Sequence, residues 1–138
     1  MMKTATPRWM FWVLMAAGLY NLAWGAFTVL FPGALFDWLH MPQPNYPQLW
    51  QCIGMIVGVY GVGYAIAAFD PVRHWPIVLV GLMGKVFGPI GMVQAVWVGS
   101  LPQRFAITCL TNDVIWWVPF ALLLRHAWKA RSRGVEQS

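Results

Sequence analysis

Four long apolar runs, separated by short polar connections, constrain this chain more than any other feature of its sequence. The runs cover residues 9–31, 47–69, 75–98 and 105–127. Each is long enough for an α-helix to cross the hydrocarbon core of a bilayer. Of the 138 residues, 59% are hydrophobic and only 9% are charged, against about 25% charged residues in an average soluble domain. We therefore predict an all-α integral membrane protein with a single transmembrane domain over residues 1–138.

The connections between the runs predict how the helices follow one another. The segments 70–74 and 99–104 are short, so the helices they join must be antiparallel neighbours. This favours a four-helix bundle in up-down-up-down order. The longer connection between Pro32 and Pro47 holds Leu35, Phe36 and Leu39 at helical spacing, which predicts a short interfacial helix.

The distribution of basic residues predicts the orientation in the membrane. Cytoplasmic loops carry an excess of lysine and arginine, and here only Arg104 falls on the side opposite the termini. Both termini are therefore expected in the cytoplasm, with a basic tail over residues 128–138 near anionic headgroups. Nucleic-acid binding is not expected, because the cations lie at the ends of apolar runs and not across one exposed face. The cations on the side of the termini are Lys3, Arg8, Arg73, Arg125, Lys129, Arg131 and Arg133.

Two formally charged residues fall well inside the apolar runs, Lys85 in the third and Asp113 in the fourth. At about 1.5 Å per residue from the cytoplasmic ends, Lys85 lies roughly 15 Å deep and Asp113 roughly 18 Å deep. Charged groups at this depth usually face the protein interior and pair. We predict a contact between Lys85 and Asp113, either direct or through water.

Other polar and aromatic residues reach the same level and extend this prediction to a site. Gly81 and Gly88 share the helical face of Lys85 and leave room beside it, while Pro89 and Pro119 would each free a backbone carbonyl. Small residues in the second and third runs, Gly54 and Gly58 with Gly84 and Gly88, predict close packing of those helices. The candidate ligand-binding residues are Lys85, Asp113, Asn21, Asn112, Tyr60, Trp116 and Trp117, with Trp24, Tyr64 and Phe87 as further aromatic walls.

Two interpretations of this polar layer stay open. It could hold the polar head of a lipid-soluble molecule, or it could only fix the register of the helices. A second cluster, His40, Cys52, Met55 and Cys109, has the soft donors that suit Cu(I), although thiols and thioethers also serve as ordinary apolar filling. A disulfide between the two cysteines is a further alternative.

Enzymatic signatures are missing from the sequence. No glycine-rich phosphate loop, serine elbow or pair of carboxylates is present. His40, His74 and His126 lie at or outside the boundaries of the runs, so a haem held between histidines inside the bundle is not expected. The sequence does not indicate an enzyme.

Three stretches resemble small four-helix bacterial membrane proteins of the DoxX-like kind: NYPQLWQCIGMIVGVYGVGY, HWPIVLVGLMGKVFGPIG and LTNDVIWWVPF. The resemblance covers most of the chain. It implies a four-helix bundle in a bacterial inner membrane and, in some members, association with quinone-linked redox systems. It assigns no catalytic residue.

These observations lead to one functional hypothesis and two rivals. The hypothesis is a polar pocket around Lys85 and Asp113 that binds a lipid-soluble small molecule such as a quinone or another isoprenoid. The first rival is an accessory subunit of a larger membrane complex, in which the polar layer only fixes the fold. The second is a proton-coupled transporter with Asp113 as the carrier, for which four spans would require a homo-oligomer.

Overall fold

The computed structural model describes residues 6–135, with the side chains of residues 6–133, and the described part contains helices and connections but no strand. The last span is irregular at its start, where a 3₁₀-helix, a single α-helical turn and a π-helix precede the final α-helix. Lys3 and residues 136–138 of the predicted basic tail lie outside the described residues. The elements are α1 (Arg8–Leu30), α2 (Ala34–Trp38), α3 (Pro47–Phe69), α4 (Trp75–Trp97), the 3₁₀-helix Gln103–Ala106, α5 (Ile107–Cys109), the π-helix Leu110–Val114 and α6 (Ile115–Val135).

Four helical segments within residues 6–135 are long and apolar enough to cross a membrane: Arg8–Leu30, Pro47–Phe69, Trp75–Trp97 and Gln103–Arg133. A helix of 23 residues is about 34 Å long, against about 30 Å for the hydrocarbon core. The prediction of an all-helical chain with four such helices is confirmed. A short helix, α2, also forms in the predicted loop after α1.

Prolines and a glycine explain where several helices begin and end. Pro47 is the first residue of α3 and Pro76 is the second residue of α4, positions where a helix makes no use of the missing N–H. At the other end of α4, Gly99 has a φ of 75°, in the left-handed region that glycine adopts without strain. The turn after α4 therefore depends on a glycine at this position.

Helices α1 and α3 approach so closely that their backbones touch at glycines. A Cβ atom on Gly18 would lie 2.8 Å from the Gly61 carbonyl oxygen, and one on Gly25 would lie 2.5 Å from that of Gly54. Because the residue numbers rise in α1 as they fall in α3, the two helices are antiparallel. We call this contact the glycine seam.

The glycine seam corrects the predicted close packing of the second and third runs. Cβ atoms on Gly58 and Gly84 would meet nothing within 4 Å, so these residues do not mediate a backbone contact between α3 and α4. Spacing identified the small residues but not the partner helix, since a small face can pack on any neighbour.

Two apolar clusters lie at opposite ends of the helices, with the predicted polar layer between them. The first joins the start of α1, the end of α3, the start of α4 and the middle of α6, and it contains Met10, Leu14, Ala17, Tyr64, Ala67, Ala68, Val78, Phe120 and Leu123. The second joins α2 to the 3₁₀-helix through Leu35, Phe36, Leu39 and Phe105.

The last span extends further than its apolar run. Helix α6 continues to Val135, so residues 128–135, predicted as a basic tail, are helical in the structure. Lys129, Arg131 and Arg133 are exposed on this extension, and Arg125 is exposed just before it. The Arg131 guanidinium lies 5.9 Å from the ring centroid of Trp75, within range of a cation–π interaction that ties the extension to the start of α4.

Candidate functional site

Lys85 lies near the middle of α4 with only 4% of its surface exposed. Its ammonium donates a hydrogen bond to the backbone carbonyl oxygen of Asn112 at 2.5 Å. The same nitrogen lies 5.9 Å from the ring centroids of Tyr64 and Trp116, within the range of cation–π attraction. A lysine at the centre of a membrane span costs about 2.5–3.5 kcal/mol on insertion scales. The carbonyl and the two rings offset part of that cost.

The carbonyl that accepts from Lys85 belongs to the π-helix Leu110–Val114. A π-helix widens the backbone by one residue per turn, and such segments occur often at functional sites. Here the π-helix contacts α4 and carries both Asn112 and Asp113. Asp113 is 7% exposed, so the last span holds a second nearly buried ionisable group beside the first.

The two charged groups that were predicted to pair, those of Lys85 and Asp113, are not in direct contact. In the described part of the chain, the Lys85 ammonium nitrogen lies more than 4.0 Å from the carboxylate oxygens of Asp113. The ammonium binds the Asn112 carbonyl, and the Asn112 amide nitrogen donates to the Asp113 carboxylate at 3.2 Å. Asn112 therefore links the two charges through its backbone and its side chain.

Pro89 creates a further link between the helices. Proline has no N–H, so the carbonyl four residues earlier, that of Lys85, has no helical donor. The indole N–H of Trp117 donates to this oxygen at 2.8 Å. The prediction that Pro89 frees an acceptor near the polar layer is confirmed, and the acceptor joins α4 to α6.

Two glycines of α4 make room for the groups around Lys85. The ring of Tyr64 packs on Gly81, where a Cβ atom would overlap the ring. A Cβ atom on Gly88 would lie 3.3 Å from Oδ2 of Asp113. The expected space is present, but the Tyr64 ring and the Asp113 carboxylate occupy it.

We define the polar cluster as the six residues Tyr64, Lys85, Asn112, Asp113, Trp116 and Trp117. Five of them were predicted as site residues, and Tyr64 was predicted as an aromatic wall. Tyr60 contacts the cluster through Tyr64, with 6.2 Å between the ring centroids.

Three other predicted residues do not enter the polar cluster. Asn21 is buried on α1, together with Gly18 and Gly25 of the glycine seam. The Trp24 ring packs on Trp50, with the centroids 5.6 Å apart. Phe87 is 61% exposed, so it faces away from the helices.

Two buried amide oxygens lack a hydrogen-bond donor among the described groups, Oδ1 of Asn112 and Oδ1 of Asn21. A buried acceptor left without a donor costs about 1–3 kcal/mol, so such groups are uncommon in native proteins. Oδ1 of Asn112 lies inside the polar cluster. The cluster thus offers an ammonium, a carboxylate and an unused acceptor beside aromatic rings.

Sequence reasoning missed the contacts of three residues at the edge of the polar cluster. The Tyr20 hydroxyl donates to Oγ1 of Thr111 at 3.0 Å, and its ring lies 6.0 Å from that of Trp116. The Cys109 side chain lies beside the Asp113 carboxylate. Thr111 adjoins Asn112 and Asp113 in the sequence, a polar run that could have drawn attention to it. The sequence did carry a signal for the Cys109 contact, because Cys109 and Asp113 are four positions apart, a spacing that brings side chains together on a helix.

The soft-metal alternative does not assemble in the described residues. No group of three His, Cys, Asp or Glu side chains there lies close enough to hold a metal ion. Cys52 and Met55 are exposed on α3, whereas Cys109 lies in the last span. Both cysteines are free, so the alternative disulfide is not formed.

Comparisons of the chain with protein-family models, with curated proteins and with solved structures find no match. The class of protein therefore follows from the fold and the site themselves. The described part of the chain is all-helical, with four helices long and apolar enough to cross a membrane, and three of these contribute to the polar cluster around the buried Lys85 and Asp113.

Proposed function

We propose that the chain is a four-span protein of a bacterial inner membrane, with its helices in up-down-up-down order and both termini in the cytoplasm. The antiparallel glycine seam between α1 and α3 supports the order of the first two spans. The cations support the orientation, because Arg8, Arg73 and Lys129 lie at one end of the helices and Arg104 lies at the other. Membership of the DoxX-like group is part of this proposal and rests on the three sequence stretches given above.

The proposed activity is the binding of a lipid-soluble small molecule with an oxygen-bearing head, such as a quinone or another isoprenoid, at the polar cluster. The observation that carries it is the nearly complete burial of an ammonium beside an amide oxygen that has no donor. A quinone carbonyl would accept from Lys85, and a hydroxyl on the head would donate to Oδ1 of Asn112. The rings of Tyr64 and Trp116 would contact the flat apolar part.

A structural role alone explains fewer of these features. Helix register could be fixed by the Trp117–Lys85 hydrogen bond and the glycine seam, neither of which needs an ionisable side chain. Ionisable residues inside membrane spans are costly and usually mark a functional site. The π-helix that presents Asn112 and Asp113 is also a feature that occurs frequently at such sites.

The experiment is gentle purification of the full chain from its native membrane, followed by mass spectrometry of the bound small molecules. The test variant is Lys85→Met and the matched control is Lys129→Met, which makes the same chemical change on the exposed extension of α6. We expect wild type and Lys129→Met to retain the same molecule, and Lys85→Met to retain at least about tenfold less, since a hydrogen bond to a charged group is worth about 1.5–3 kcal/mol.

Other outcomes would favour the rivals. Equal retention in all three proteins would contradict a site at the polar cluster. If partner proteins co-purify equally with all three and no small molecule does, the chain is an accessory subunit. Proton flux in vesicles that Asp113→Asn abolishes, without a retained ligand, would favour a transporter.

A further inference from the structure

A cleft of about 600 Å³ opens at the opposite end of the last span from the basic extension, and none of its lining residues belongs to the polar cluster. Residues of two connections line it, one after α1 and one before α5. Its walls include Trp38, Leu39, His40, Arg104, Ile107 and Leu110. Leu35, Phe36 and Phe105 pack behind these walls in the second apolar cluster, so the cleft is held by packed side chains and not by a free loop.

One end of the cleft is basic. The Arg104 guanidinium donates to the His40 carbonyl oxygen at 2.6 Å, which fixes the arginine across the two connections. A guanidinium has five N–H donors, and Arg104 is exposed within the cleft. His40 has a φ of 52°, an unfavourable backbone conformation for a residue with a side chain. The hydrogen bond from Arg104 stabilises the carbonyl in this position.

The other end of the cleft is apolar. Ile107 and Leu110 are three positions apart, so they share one side of the last span, and they are 46% and 54% exposed. Trp38, 66% exposed, lies on the facing wall. Tryptophan is typical of the membrane–water boundary. The cleft therefore has a basic group at the level of the headgroups and an apolar surface that continues along the span.

The nearby carboxylate does not cancel the basic end. Asp37, in α2, accepts a hydrogen bond from Nε2 of Gln43 at 2.5 Å, and it does not line the cleft. Arg104 is the cation among the lining residues, together with a histidine that can also donate a hydrogen bond.

We propose that this cleft binds one anionic membrane lipid, with the phosphate of the headgroup on Arg104 and the first part of an acyl chain along Ile107 and Leu110. Arginine binds phosphate through paired N–H donors in a planar fork. The volume suits a headgroup with a short length of chain. This site does not depend on a ligand at the polar cluster, because the two share no residue.

The test uses the full chain in nanodiscs that contain equal amounts of phosphatidylglycerol and phosphatidylcholine with the same chains. Native mass spectrometry measures which lipid stays bound. We expect wild type to retain phosphatidylglycerol, and Arg104→Gln to lose the preference by at least about tenfold, the effect of one strong charge-assisted contact. Arg73→Gln, which removes an exposed arginine at the opposite ends of the spans, should keep it.

A second variant and a soluble probe keep the result decisive. Leu110→Ser leaves Arg104 intact and should also reduce lipid retention several-fold, through the chain and not the headgroup. An equal loss in Arg104→Gln and Arg73→Gln would overturn the proposal in favour of general attraction to basic surfaces. Displacement of the lipid by excess inorganic phosphate, with Leu110→Ser unchanged from wild type, would overturn it in favour of a site for a soluble anion.

Discussion

The hydrogen bond from Trp117 to the Lys85 carbonyl allows a prediction with a defined size. In Trp117→Phe the indole N–H is lost, and Pro89 cannot supply a replacement, so the Lys85 oxygen keeps no protein donor. An unmet buried acceptor costs about 1–3 kcal/mol, and hydrogen bonds within membrane proteins are worth about 0.6–1.7 kcal/mol. We therefore expect a loss of about 1–2 kcal/mol in the free energy of unfolding.

A double-mutant cycle with Pro89→Ala isolates the cause. Alanine at this position restores an N–H that can donate to the Lys85 carbonyl along the helix. The effect of Trp117→Phe should therefore fall to less than half when Pro89→Ala is also present. The assay is reversible unfolding in mixed micelles followed by circular dichroism, with Trp97→Phe, at an 88% exposed site, as the control. Equal losses with and without Pro89→Ala would refute the reasoning, because the two residues would then not share the acceptor.

Three further predictions concern the packing around the polar cluster. Gly25→Ala should lower the free energy of unfolding by about 1–3 kcal/mol, because the added Cβ would collide with the Gly54 carbonyl. The control Gly84→Ala has open space around the added Cβ and should change it by less than about 1 kcal/mol. Equal shifts of the melting temperature in the two variants would contradict the glycine seam. Lys85→Met alone should destabilise the protein more than Lys85→Met combined with Asp113→Leu, since the single change leaves a buried carboxylate without its counter-charge. Additive losses of stability would show that Asn112 does not couple the Lys85 and Asp113 charges. Tyr20→Phe should lower the free energy of unfolding by about 0.5–1.5 kcal/mol, because the hydrogen bond to Thr111 is lost. The control Tyr46→Phe, at an exposed site, should lower it by less than about 0.5 kcal/mol. No difference between the two variants would rule out the Tyr20–Thr111 contact.

Helix bounds were predictable because they depend on local properties. Hydropathy, with Pro32 and Pro47 on either side of the first connection, placed the ends of the first three spans within two residues of α1, α3 and α4. The last span was less regular than its composition suggested. The change from 3₁₀-helix to α-helix to π-helix over residues 103–114 depends on packing against α4, and no residue type in that stretch encodes it.

Pairwise contacts were predictable only where covalent chemistry restricted the choices. Pro89 had to leave the Lys85 carbonyl free, and the structure supplies a donor to that oxygen. By contrast, Asn21 was placed by depth alone, and depth gives no direction around the helix axis. It is buried on α1 together with Gly18 and Gly25, which pack on α3 in the glycine seam.

For Lys85, the sequence predicted the right depth along the spans but the wrong acceptor atom, because the ammonium binds the Asn112 carbonyl oxygen and not the Asp113 carboxylate. Depth along the spans identified the two residues, but one residue inserted into the helical turn by the π-helix moves a backbone carbonyl in front of the ammonium. The carboxylate is reached through Asn112. A sequence argument treats residues as points on ideal helices, so it could not separate a carboxylate from the adjacent carbonyl.

Photolabelling with a diazirine-bearing isoprenoid benzoquinone tests most directly whether the polar cluster is a ligand site. The full chain in native-lipid nanodiscs would be labelled, digested and sequenced, for wild type, for Lys85→Met and for the lipid-facing control Phe87→Leu. We predict that labels concentrate on Tyr64 and Trp116, that unlabelled quinone competes for them, and that Lys85→Met lowers their yield by at least about tenfold while Phe87→Leu does not. Labels spread evenly over the exposed faces of the helices, with the same yield in all three proteins, would contradict the account.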